Sequence, residues 1–195
     1  MPILMHTINA FFCYAKDITV ILVLPEDDIA TWSLLCKKYN FNKPLILQSG
    51  GDSRFQSVKN GLRKIEGDGL VAIHDGVRPL VSEDIIRTSF RLAAVHQSAV
   101  AAVHLKESIR MTDREDRTKA LDRSRFRLIQ TPQTFQIKLI KGAYEIKEDL
   151  SLTDDASVAE HAGHTISLFE GSYANIKITT AEDLVIAEAL LKQKS

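Results

Sequence analysis

The 195-residue sequence has little cysteine, no long hydrophobic run and no excess of charge of either sign. Its two cysteines, Cys13 and Cys36, follow no metal-binding or disulfide spacing, which is typical of reduced thiols in a cytoplasmic protein. No apolar run approaches the roughly 20 residues that a membrane-spanning helix needs. The apolar N-terminus also lacks the basic lead and the cleavage site of a signal peptide. We therefore expect a cytoplasmic protein that does not associate with membranes.

The charge balance argues against nucleic acid as a partner. The sequence has 25 Lys and Arg residues against 25 Asp and Glu residues, whereas nucleic-acid binders usually carry a basic surplus. Hydrophobic residues make up 45% and charged residues 26%, as in ordinary globular proteins. The length suffices for one domain with a sizeable core, so we expect a single domain over residues 1–195.

Apolar segments typical of strands alternate with segments of helical spacing along most of the chain. Predicted strands lie at 17–25, 44–49, 69–74, 98–105, 164–171 and 174–179. This alternation predicts an α/β fold, a Rossmann-like, mainly parallel twisted sheet with helices on both faces.

The alternation stops at residues 106–125, a highly charged segment without a long apolar face. Such a segment cannot bury enough surface to form core. The residues alone leave two interpretations, a solvated loop or a protruding arm that contacts another subunit.

Glycines and polar side chains recur where predicted strands end: Gly50, Gly51, Asp52 and Arg54 after one strand, Asp75 and Arg78 after the next, Lys106 and Ser108 after a third. In open parallel sheets, ligands bind outside the carboxyl ends of the strands. The sequence therefore predicts a ligand site there.

Each of these residues also has a structural interpretation. Asp75 could hold a divalent metal or a substrate hydroxyl, or form an Asx-turn. Arg78 could bind a phosphate, or pair with Asp75. Lys177 lies in an apolar segment, which favours an anionic ligand, unless it simply faces solvent. Thr153 could do no more than cap the helix predicted at 153–163.

Five segments occur in the order found in 2-C-methyl-D-erythritol 4-phosphate cytidylyltransferases: GGDSRFQSVKNGL, IHDGVRPLV, QTPQTF, LTDDASVAE and NIKITTAEDL. The sequence resembles this family over nearly its whole length. The resemblance implies transfer of a cytidylyl group from CTP to 2-C-methyl-D-erythritol 4-phosphate in the non-mevalonate isoprenoid pathway. The products would be 4-diphosphocytidyl-2-C-methyl-D-erythritol and pyrophosphate. Ribitol 5-phosphate cytidylyltransferases have similar motifs, so that activity is the alternative.

The resemblance also implies roles for particular residues. It implies nucleotide binding by Gly50, Gly51, Asp52, Ser57 and Lys177. It implies binding of the sugar-alcohol phosphate by Asp75, Arg78, Ser108, Arg123, Thr131 and Thr153. Of these, it implies catalytic roles for Lys177, Asp75 and Arg123, and it places Asp75 beside a Mg²⁺ cofactor. Arg123 would reach the substrate phosphate of the neighbouring subunit, which makes segment 106–125 the arm of a homodimer.

The start of the sequence differs from the family pattern. In the family, a strand and a glycine-rich loop with a catalytic Arg and Lys precede the residues that resemble MPILMHTI, with which this sequence begins. We therefore expect a nucleotidyltransferase domain that is N-terminally truncated relative to the family. Losing preorganised donors costs about 10²–10³-fold each, so little turnover is expected from these residues alone. An inactive nucleotide-binding or dimerising remnant is the third interpretation.

Overall fold

The computed structural model describes residues 1–192, so the last three residues of the predicted domain lie outside the described residues. Its elements are α1 (Ile3–Tyr14), β1 (Ile21–Leu24), α2 (Glu26–Lys38), β2 (Ile46–Ser49), α3 (Arg54–Arg63), β3 (Leu70–Ile73), α4 (Glu83–His96), β4 (Ser98–His104), β5 (Ile109–Thr112), β6 (Thr118–Leu121), a 3₁₀ turn (Arg123–Arg125), β7 (Arg127–Gln136), α5 (Ile137–Ala143), α6 (Asp155–His161), β8 (Leu168–Glu170) and α7 (Ala181–Lys192). Within residues 1–192, every helix is too short or too polar to cross a bilayer.

The described strands form three small sheets. β1 and β2 pair in parallel. The largest sheet has the order β3-β7-β4-β8, in which β7 is antiparallel to both of its neighbours and β8 is parallel to β4. The α/β class is confirmed, but the sheets are mixed and do not form the mainly parallel sheet that we predicted. The reason is that the chain leaves β4 through a hairpin and returns beside it, which makes the returning strand antiparallel.

Helices cover both faces of the largest sheet, as predicted. Successive residues of β4 point to opposite faces. Val100 packs in a cluster with Phe135 of β7 and with residues of α3, α5 and α6. Ala99 and Ala101 pack in another cluster with residues of α1, α4 and β8. The core therefore lies on both sides of β4, and the carboxyl end of β3 is held rigidly beside β7.

The charged segment 106–125 contains an antiparallel hairpin. β5 and β6 pair from Ile109 opposite Leu121 to Thr112 opposite Thr118. Within the described chain they pair only with each other, and most of their residues are exposed. Pairing within the hairpin satisfies backbone groups that a charged segment cannot bury in a core. The charged segment therefore contains a two-stranded sheet of its own, separate from the other two sheets of the described residues.

Candidate active site

The end of β2 turns tightly into α3 beside the end of β1. The backbone N–H of Gly50 donates to the carbonyl of Leu24 at 2.7 Å, and that of Gly51 donates to Ser57 Oγ at 3.1 Å. A Cβ on Gly51 would lie 2.4 Å from the Cβ of Gln56, so this close approach requires glycine. Gly50, Gly51 and Ser57 therefore belong to one compact turn, with Asp52 exposed at its tip.

Asp75, in the loop after β3, lies between two cations. Its Oδ2 is 3.0 Å from Arg78 Nε and 3.5 Å from Lys177 Nζ. Burial alone would raise the pKa of Asp75, but the hydrogen bond from Arg78 and the charges of Lys177, Arg78 and Arg54 outweigh it and lower the pKa. Asp75 is therefore ionised at neutral pH, and the pair with Arg78 that we considered as an alternative is present.

Lys177 reaches this cluster from an extended segment that is not a strand. Residues 174–179 form no ladder, contrary to our prediction. The segment is held instead by the Ile178 N–H, which donates to the Val77 carbonyl at 2.9 Å. Arg78 Nη1 also donates to the Asn175 carbonyl at 2.7 Å. These two contacts bring the half-exposed Lys177 side chain beside Asp75.

Thr131 joins the same cluster from β7. The residue is 4% exposed, and its Oγ1 accepts a hydrogen bond from the Asp75 N–H at 3.1 Å. The same oxygen is 3.0 Å from Nδ1 of His74, the first residue after β3. His74 and Asp75, two adjacent residues of the loop after β3, therefore both form hydrogen bonds with the Thr131 hydroxyl.

An ion pair between the partly exposed Arg54 and the buried Asp155 connects the start of α3 with the start of α6. Arg54 donates to both carboxylate oxygens of Asp155, at 3.0 Å and 2.6 Å. Tyr144 donates its hydroxyl to the same carboxylate at 2.6 Å, and burial and this carboxylate raise the pKa of Tyr144. The charge of Arg54 also acts on Asp75, so the ion pair and the Asp75 cluster are neighbours.

Thr153 does not cap α6, contrary to our prediction. The N-cap is Asp154, whose carboxylate accepts from the Ser157 N–H at 2.8 Å in a capping box. Thr153 is exposed and, with Arg54, lines a cavity of about 110 Å³. Its hydroxyl is therefore not committed to the cap, as a ligand contact requires.

Two predicted site residues lie apart from the Asp75 cluster. Ser108 is exposed at the base of the arm, and the exposed Arg123 donates to the Lys106 carbonyl. Among residues 1–192, no hydrogen bond or ion pair joins either residue to Asp75, Arg78, Thr131 or Lys177. The chain by itself therefore brings together only part of the predicted site.

The described residues contain no group of three or more His, Cys, Asp or Glu side chains that could hold a metal. Mg²⁺ is nevertheless commonly held by one or two carboxylates together with substrate phosphates. Asp75 provides one ionised carboxylate, so it fits a metal site that a bound phosphate completes.

Our sequence analysis missed Asn175, which is fully buried in this cluster. Its side-chain amide donates to the Thr131 carbonyl at 2.8 Å. Within the described chain, its Oδ1 is the one buried side-chain oxygen or nitrogen without a hydrogen-bond partner. An asparagine in an apolar segment does not by itself indicate a functional site. The position of Asn175 follows only from its tertiary contacts with Thr131 and Arg78.

Comparisons with known proteins agree on one family. The family described as 2-C-methyl-D-erythritol 4-phosphate cytidylyltransferase matches residues 1–193. A relative of that name from Bacteroides thetaiotaomicron is 43% identical over 97% of this chain and 86% of its own length. One from Azobacteroides pseudotrichonymphae is 46% identical with the same coverage. The crystal structure of 4-diphosphocytidyl-2C-methyl-D-erythritol synthase from Anaerococcus prevotii superposes with a TM-score of 0.86 at 28% identity, covering 98% of this chain and 86% of that one.

Proposed function

Since this chain belongs to the 2-C-methyl-D-erythritol 4-phosphate cytidylyltransferase family, we propose that it transfers a cytidylyl group from CTP to 2-C-methyl-D-erythritol 4-phosphate. Pyrophosphate is the other product. The observation that carries the assignment of residues is the cluster of Asp75, Arg78, Lys177 and Thr131 beside the turn after β2. It combines an ionised carboxylate and a cation from the loop after β3, a hydroxyl from β7 and a second cation from segment 174–179.

The nucleotide binds at the turn after β2. Gly50 and Gly51 allow the turn to pack closely against Ser57 and Gln56, and α3 starts directly behind them with Ser53 as its N-cap. A helix N-terminus favours anions. Asp52 is exposed and available to the base or ribose. Ser57 holds the turn through the Gly51 N–H, so its role is to shape the nucleotide pocket.

In the reaction, a phosphate oxygen of the sugar alcohol attacks the α-phosphorus of CTP in line. The bond from that phosphorus to the pyrophosphate oxygen breaks, and pyrophosphate leaves with the electron pair. The protein contributes position and charge stabilisation rather than covalent chemistry. Lys177, half exposed beside Asp75, neutralises charge on the nucleotide phosphates. Mg²⁺, when held by Asp75 and phosphate oxygens, would supply further charge neutralisation.

The sugar alcohol contacts Thr131 in the cluster, and the exposed hydroxyls of Thr153 and Ser108 supply further contacts from outside it. Arg78 already directs Nε to Asp75 and Nη1 to the Asn175 carbonyl. It therefore has Nη2 left for a substrate oxygen, and it acts chiefly by fixing Asp75.

The arm supports a homodimer in which Arg123 completes the site of the other subunit. The hairpin pairs only with itself in the described chain, and apolar side chains are exposed beside it. They are Met111 (56%), Phe126 (40%), Leu128 (53%) and Ile129 (40%). An exposed apolar patch with a charged rim is typical of protein interfaces. A single nucleotidyltransferase domain in the cytoplasm is part of the same proposal, in keeping with two free cysteines.

The test is pyrophosphate release from CTP with each of two acceptors, 2-C-methyl-D-erythritol 4-phosphate and ribitol 5-phosphate. The chain is assayed as it stands and, in parallel, extended N-terminally by the family's glycine-rich segment. We expect the first acceptor to be used and Asp75→Asn to reduce turnover at least about 100-fold. The exposed His96→Gln variant is the matched control. Preference for ribitol 5-phosphate would replace the proposed acceptor, and CTP binding without turnover in either form would favour a remnant.

A further inference from the structure

His74 connects two parts of the candidate site through its two ring nitrogens. Nε2 is 3.2 Å from the carbonyl oxygen of Arg78, and Nδ1 is 3.0 Å from Thr131 Oγ1. Phe11 of α1 packs against the ring with its centroid 5.0 Å away. The ring is thus held between β7, the loop after β3 and α1.

These contacts determine where the hydrogens lie. A carbonyl oxygen can only accept, so Nε2 carries the hydrogen. The partners of both ring nitrogens are uncharged, a carbonyl and a hydroxyl, so in the described chain the ring has no carboxylate contact that would stabilise an imidazolium. A neutral imidazole has one N–H, which Nε2 carries, so Nδ1 is an acceptor. Thr131 must then donate its hydroxyl hydrogen to Nδ1. The Asp75 N–H donates to the same hydroxyl oxygen.

We propose that His74 is a positioning residue that makes the Thr131 hydroxyl a hydrogen-bond acceptor, and never a donor, toward the substrate. A hydroxyl has one hydrogen and two lone pairs. The hydrogen is committed to His74 and one lone pair to the Asp75 N–H, which leaves one lone pair. A ligand group beside Thr131 must therefore donate, as the hydroxyl of a sugar alcohol does. A carbonyl or an ionised phosphate oxygen is rejected at this position.

This inference rests on the proposed function for the identity of the substrate, but its first step can be tested without activity. Long-range ¹H–¹⁵N NMR of the chain with ¹⁵N-labelled histidine distinguishes the two tautomers. The signals that disappear in the His74→Gln variant are those of His74. We expect the Nε2–H tautomer at neutral pH. The Nδ1–H tautomer or an imidazolium would overturn the proposal.

Two substitutions at His74 separate the two contacts. The side-chain oxygen of His74→Asn can replace Nδ1 as the acceptor for Thr131, whereas His74→Gln can replace only the Nε2 donor. We expect His74→Gln to raise KM for the sugar phosphate about tenfold, the effect of one hydrogen bond, with KM for CTP unchanged. His74→Asn should stay within about twofold of the wild type. The exposed His161→Gln is the control.

A double-mutant cycle then shows whether His74 acts through Thr131. Thr131→Val should raise KM for the sugar phosphate, and adding His74→Gln should raise it no further, because residues that act as one unit are not additive. Additive effects, or equal increases in KM for CTP and the sugar phosphate, would overturn the proposal. An N-terminally extended enzyme without turnover on either acceptor would instead contradict the proposed function, and the tautomer would still decide whether Thr131 donates to His74.

Discussion

The neutral state of His74 should make the stability of the fold depend on pH. Burial lowers the pKa of His74 from its ordinary value of 6.5 to about 4, and the Arg78 charge acts in the same direction. The Arg78 carbonyl and the Asp75 carboxylate oppose this shift without cancelling it. We expect the free energy of unfolding to fall when the pH is lowered through this interval.

The magnitude follows from the two pKa values. Below about pH 6.5 the unfolded chain binds a proton on His74, whereas the folded chain does not bind it until about pH 4. Each unit by which the pH is lowered in this interval reduces the free energy of unfolding by about 1.4 kcal/mol. The free energy of unfolding should therefore fall by about 2 kcal/mol between about pH 6.5 and about pH 5. The pKa of Asp75 is lowered, so its stabilisation is lost only below about pH 4 and does not overlap with this interval.

The assay is urea unfolding followed by the fluorescence of Trp32, the single and buried tryptophan, at several pH values from about 5 to about 8. The variant is His74→Gln, which should be less stable than the wild type near neutral pH. On acidification its free energy of unfolding should fall by about 2 kcal/mol less than that of the wild type. The matched control is His6→Gln, since burial also lowers the pKa of His6 but less strongly. Equal pH slopes for the wild type and His74→Gln would refute the reasoning.

Three further predictions follow from the ion pairs and the arm. Asp155→Asn should lower the free energy of unfolding by about 2 kcal/mol in urea titrations, less than for a fully buried pair because Arg54 is 40% exposed; an unchanged midpoint would contradict it. Lys177→Met should raise KM for CTP about tenfold with the melting temperature unchanged, and a lowered melting temperature would make Lys177 a structural residue. Arg123→Ala should raise KM for the sugar phosphate far more than for CTP in steady-state assays of the N-terminally extended enzyme. Mixing the Arg123→Ala variant with the Asp75→Ala variant should restore some activity, because one site of the heterodimer keeps both residues. If activity does not recover although subunit exchange is verified, Arg123 acts in the site of its own chain or in no site.

The parts of the fold that depend on local pattern could be predicted from the sequence. The strands β1 to β4 lie within the predicted segments 17–25, 44–49, 69–74 and 98–105, because hydrophobic patterning acts over a few residues. The direction of β7 could not be predicted, since it depends on where the chain returns after the arm. Segment 174–179 has the composition of a strand, yet its backbone contacts the loop after β3 instead.

The residues of the candidate site also divide into those that local sequence pattern identifies and those whose role depends on tertiary contacts. Asp75 and Arg78 could be selected because two charged residues directly follow an apolar strand. His74 stands beside them in the sequence, but its role depends on Thr131, 57 residues further along the chain. The sequence pattern predicts Thr153 as the helix cap, whereas in the structure Asp154 is the cap and Asp155 pairs with Arg54. Local pattern thus identifies charged candidates, and only tertiary contacts assign a partner to each.

The balance of charge at the site explains why a chain without net charge can still bind anions. The formal charge of the sequence is zero, which argues against a broad polyanion-binding surface. At the site, however, the three cations Arg54, Arg78 and Lys177 meet the two carboxylates of Asp75 and Asp155. Within this ion-paired set the cations exceed the carboxylates by one, and such local positive charge attracts anionic ligands. Of the three cations, Lys177 is the most exposed, so the uncompensated charge is located where a phosphate can reach it.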